Sequence, residues 1–117
     1  EANGLVNIRL QQAYQEVSYY RAVQLFNDGN YTKAVAHFNK ALVYNHNKNY
    51  EALSYFWKAE SEYRLEQFET SINTYGQFQN SASASTMPEF ESASYHKAYA
   101  YFKLWEFSKS LINKILK

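Results

Sequence analysis

The residues best suited to chemistry in this chain are three histidines, a group of carboxylates and a run of serines. His37, His46 and His96 supply imidazoles, but none has a second ligand three or four positions away. That spacing would put two donors on one helix face for a metal. Each histidine therefore reads as a surface or seam residue. Glu62, Glu66 and Glu69 form an acidic patch with Arg64 among them. The patch has the charge to hold a cation, and its spacing reads better as an exposed charged face. Ser81, Ser83 and Ser85 have no base beside them, and nothing resembles a nucleophile elbow. There is no phosphate-binding glycine loop, and no cysteine for thiolate or disulfide chemistry. The expectation is a non-enzyme without metal or cofactor.

The aromatic side chains are the more informative set: twelve Tyr, eight Phe and two Trp in 117 residues. Large rings fill seams between helices, burying much area at low entropic cost. The helical spacing of Phe26, Phe38, Phe56, Phe68, Tyr75 and Phe107 fits that role. Outward-facing Tyr would instead form a binding surface, since its ring is apolar and its hydroxyl can bond to a partner.

These side chains must be positioned by helices. In "NDGNYTKAVAHFNKAL", Tyr31, Ala34, Val35, Phe38, Ala41 and Leu42 make one apolar stripe of a 3.6-residue helix. Gly29 before it can end one helix in the left-handed region, and Asn30 can begin the next. The device recurs. Ala22, Ala59 and Ala98 each follow an aromatic, a ring-bearing residue and a base ("YYR", "FWK", "YHK"), and each precedes an aromatic (Tyr31, Phe68, Phe107) by nine positions. A small residue stands three further on, at Ala34, Ser71 and Ser110. Six helices are expected: 5–27, 31–44, 50–65, 68–79, one ending at Leu104 and one from Glu106 onward. The polar run 80–85 reads as loop, with Thr86 and Glu89 as a capping box.

On these residues the chain resembles the tetratricopeptide repeat, a helical hairpin of about 34 residues. The first unit carries the pattern at Ala22, Gly29 to Tyr31, Ala34, Phe38 and Ala41. The second carries it at Ala59, Phe68, Ser71 and Tyr75, and departs at Glu66 and Phe78. The third carries it at Ala98, Tyr101, Phe107 and Ser110, and departs at Lys114. Arg21, Lys58 and Lys97 stand where the family often has apolar residues, and the usual proline between repeats is missing. The resemblance implies an all-α, right-handed superhelix of three hairpins in a single domain 1–117. Its repeats fall near 15–48, 52–85 and 91–117, with 1–14 as a helical extension.

The resemblance also implies a protein-interaction or scaffold module that takes a peptide or partner domain in a concave groove. The aligned groove positions are Glu16, Tyr19, Val23 and Phe26, then Leu53, Phe56, Glu60 and Tyr63, then Ser92, Tyr95, Tyr99 and Phe102. The groove lacks the Lys and Asn residues that clamp a C-terminal carboxylate in some members. A partner segment is expected against Tyr19, Tyr63, Tyr95 and Tyr99, with Glu60 setting charge preference. Trp105, in place of the third turn glycine, is a second contact. The third unit has no cap after it, so its edge is expected to pack on further sequence of a longer protein or to self-associate.

Net charge is +1, which predicts no strong attraction to nucleic acid or to an anionic membrane. No apolar run has the roughly 18 residues needed to span a bilayer, and no signal peptide is visible. The alternative reading is an RNA-binding helical repeat that stacks bases on aromatics beside Arg21, Lys58 and Lys97. The composition leaves the compartment open between cytoplasm and cell envelope; its Tyr-, Asn- and Ser-rich character resembles bacterial cell-envelope repeat proteins.

Overall fold

The structure is a computed structural model that describes residues 2–116; their regular structure is all helical, with no strand among them. The helices are α1 (Ala2–Asn27), α2 (Tyr31–Ala41), α3 (Lys48–Arg64), α4 (Phe68–Gln79) and α5 (Glu89–Leu116), with one 3₁₀ turn at Ala84–Thr86. The pairs α1–α2 and α3–α4 are hairpins, α3 packs back on α2 and α1, and α5 packs on α4.

The two hairpin turns are built alike. After α1, Asn30 N–H donates to the Leu25 carbonyl and Gly29 N–H to that of Phe26. After α3, Gln67 N–H donates to Glu62 and Glu66 N–H to Tyr63. Both are Schellman closures, which need a left-handed residue just past the helix. Gly29 supplies it at φ 78°, and Glu66 supplies it at φ 61° against the cost a Cβ imposes there. Asn30 then caps α2 by accepting from Lys33 N–H, and Asn47 caps α3 by accepting from Asn49 and Tyr50.

The third hairpin does not form. Trp105 stands seven residues after Ala98, as Gly29 does after Ala22 and Glu66 after Ala59, yet α5 runs through it unbroken to Leu116. A bulky Trp in the left-handed region is costly, and Lys103, Leu104, Glu106 and Lys109 around it all favour helix. The helix expected to end at Leu104 and the one expected from Glu106 are therefore a single element. Thr86 is not half of a capping box either, because its hydroxyl donates to the Ser83 carbonyl. The expected domain, through its 1–14 extension and its last repeat, reaches Glu1 and Lys117, which lie outside the described residues.

Two cores lie inside this frame. Tyr19, Ala22, Leu25, Ala34, Phe38 and Ala41 close the first hairpin, and Ala52, Phe56, Ala59, Tyr75, Phe78, Ala84 and Ala93 close the second. Trp57 packs against both cores and its ring meets Phe26 edge-on at 5.1 Å. The buried Gln15 amide clasps the α2–α3 connection: Nε2 donates to the Asn47 carbonyl and Oε1 accepts from its N–H. Beyond these cores the long helices project. The radius of gyration is 16.8 Å, against about 13 Å for a compact globule of this length.

Candidate functional site

Equivalent residues of the three units have different fates. Tyr19 and Phe26 meet Phe38 and Tyr31 of α2, and Phe56 and Tyr63 meet Tyr75 and Phe68 of α4. In the first two units these positions are thus the face covered by the helix that folds back. Seen by distance from the anchor alanine, their counterparts on α5 are Tyr95 and Phe102. No helix among the described residues covers them, because the chain does not turn at Trp105. Tyr95 is 64% exposed, Tyr99 47% and Phe102 51%. With Ala98 they line an open apolar hollow of about 260 Å³.

A polar pocket of about 330 Å³ adjoins this face, lined by Glu60, Tyr63, Arg64, Tyr95, His96 and Tyr99. Its floor is the carboxylate of Glu60, a residue 9% exposed. The Tyr75 hydroxyl donates to Glu60 Oε2, and His96 Nδ1 lies 2.6 Å from the same oxygen. An ionised carboxylate only accepts, so a hydrogen bond there has Nδ1 as its donor. Burial first, then the Glu60 charge and its hydrogen bond, push the Tyr75 phenol far above its ordinary value. That hydroxyl is therefore a fixed donor. The Tyr95 and Tyr99 rings meet edge-on at 5.1 Å, and the Tyr99 hydroxyl raises the Tyr95 phenol in turn. Arg64 reaches the rim, but its guanidinium donates to the Tyr31 hydroxyl and lies 5.7 Å from the centroids of both Phe26 and Tyr31.

The residues expected to form one groove are split. Tyr63, Tyr95, Tyr99 and Glu60 come together at the pocket, with Phe102 alongside. Tyr19 and Phe56 do not join them: both are buried between paired helices, at 7% and 3% exposure. Burial also pushes the Tyr19 phenol up to about 12. Val23 packs on the first core. Tyr19 and Phe56 are lost to the groove because they face the second helix of their own hairpin. Trp105 is exposed on α5, with Lys109 Nζ 5.1 Å from its ring centroid.

His96 is the site residue that sequence reasoning misses. It has no partner within reach along the chain; its carboxylate lies on α3, 36 residues away. The only signal in the sequence is its place between Tyr95 and Tyr99. The remaining candidates stay apart. His37 bonds the Lys33 carbonyl and His46 meets the Gln11 amide. Among the described residues no three of His, Cys, Asp and Glu come together, and no helix is long and apolar enough to cross a membrane. Of the recurring bases, Lys97 turns into the α4 seam, with Nζ 3.4 Å from Gln79 Oε1. Compared with known proteins, the chain matches no family model, no curated protein and no solved structure.

Proposed function

We propose that this chain is a protein-interaction module of tetratricopeptide-like hairpins whose docking surface is the uncovered face of α5 rather than a groove running the length of the molecule. One observation carries the reading. The positions that each of the first two hairpins seals with its own second helix are presented bare in the third, as Tyr95, Ala98, Tyr99 and Phe102. The partner supplies the missing layer: a segment with an apolar stripe that buries these rings, much as α2 buries Tyr19 and α4 buries Phe56. Tyr is well suited to such a face, because its rigid ring buries area while its hydroxyl stays able to bond.

The RNA-binding alternative gains no support from the placement of its basic residues, since Lys97 is committed to Gln79 and Arg21 bonds Gln24 on its own helix.

The test compares wild type with Tyr99→Glu/Phe102→Glu in affinity capture from native cell extract, after circular dichroism confirms equal helicity. Both positions are exposed, so the variant is expected to fold. A partner held by the wild type and lost by the variant is the expected result. Identical captures from the two proteins would sink the reading.

A further inference from the structure

We infer that the pocket under Tyr95 and Tyr99 is a binding site for an organic ammonium cation, such as a lysine side chain of the docked partner. The inference rests on the docking face proposed above and gives it a chemical preference. Three tyrosine rings, those of Tyr63, Tyr95 and Tyr99, wall a cavity of about 330 Å³ that has the Glu60 carboxylate at its base. Aromatic faces attract cations through their negative quadrupole, and most strongly where water is displaced.

The carboxylate presents one oxygen to the pocket's own residues and one to a visitor. The Tyr75 hydroxyl and His96 Nδ1 both address Oε2, and neither bonds Oε1. Two donors on one oxygen fix the orientation of the group and leave the other oxygen to an entering ammonium. Arg64 also lines the pocket, but its guanidinium is engaged by the Tyr31 hydroxyl and by the Phe26 and Tyr31 rings. A carboxylate partner would meet repulsion from Glu60, and a purely apolar side chain would leave the buried charge unsolvated. Charge and shape select the same ligand class.

The probes are choline and its neutral isostere 3,3-dimethylbutan-1-ol, added to the full chain while the Tyr ring and His96 resonances are followed by NMR. Choline should shift the Tyr63, Tyr95, Tyr99 and His96 signals saturably. The isostere should need roughly tenfold more, because it has the shape without the charge. Glu60→Gln keeps an acceptor for Tyr75, and should weaken choline by roughly tenfold while leaving the isostere unchanged. Tyr99→Leu, at an exposed position, should weaken choline without touching the fold. Equal response to choline and isostere, or no saturable response, would overturn the cation site. The docking face is judged apart from it: a partner still captured by Glu60→Gln and lost by Tyr99→Glu/Phe102→Glu leaves that reading standing. Conversely, selective choline binding with identical captures from wild type and Tyr99→Glu/Phe102→Glu would keep the cation site and remove the docking face.

Discussion

Glu62 shows how one buried group conditions the molecule. It sits on α3 at 2% exposure, and its Oε1 has no hydrogen-bond partner. Burial raises its carboxyl above the usual 4.5, with Thr74 and Lys58 pulling the other way. The folded state then holds this proton to higher pH than the unfolded state does. From 4.5 up to the raised value the fold binds more protons, so this group's contribution to stability falls as pH rises through that window. Glu62→Gln keeps the shape and removes the charge. Its melting temperature should exceed that of wild type at pH 7, with the gap narrowing as pH approaches 4.5. A gap that is flat with pH, or of opposite sign, would refute a burial cost at Glu62. Nothing in sequence marks Glu62 apart from Glu66 and Glu69, both of which are exposed. Only packing against α4 separates them.

Among the elements, the three equivalent turn positions form a natural series. Gly29 takes the left-handed conformation freely, Glu66 is forced into it, and Trp105 refuses it. Glu66 is held there by the two closing hydrogen bonds to Glu62 and Tyr63. Glu66→Gly should therefore raise the free energy of unfolding by about 1 kcal/mol, read from the urea midpoint at unchanged slope. A loss of stability would mean the Glu side chain contributes more than its backbone costs. The hairpins themselves are legible in the sequence, through "DGNY" and the nine-residue step from Ala59 to Phe68. The missing hairpin is less so. The helical stripe continues past Trp105 through Phe107, the small Ser110 and Leu111, so periodicity alone reads the same whether the chain turns or runs on.

For the whole molecule, the straight α5 sets the shape. The principal extents are 69 × 27 × 22 Å, and the eleven residues after Trp105 up to Leu116 add about 16 Å of helix. Trp105→Gly/Glu106→Asn recreates the Gly29–Asn30 pair at the third turn. It is expected to let Phe107, Ser110 and Leu111 fold back over Tyr95, Ala98 and Phe102. The maximum dimension from small-angle scattering should then shorten by roughly the length of that arm, about 16 Å, with helicity maintained. An unchanged dimension would mean that the arm's preference for straight helix outweighs closure.

The sequence by itself determined the first four helices, the two capped turns, the seams filled by Phe38, Phe56 and Tyr75, and the lack of any motif for metal or nucleophile chemistry; Phe107, expected in a seam, is instead 65% exposed on the unturned α5. Those properties are local: they follow from a 3.6-residue period, from which residues tolerate positive φ, and from which side chains exist. Only the tertiary structure decided which aromatic face is left bare, and that Glu60 of α3 meets Tyr75 of α4 and His96 of α5 at one point. Those outcomes depend on whether a helix turns back and on contacts between residues 15 and 36 positions apart. Both are settled by the competition between straight helix and closed hairpin at Trp105, and by the angle at which each layer packs on the last.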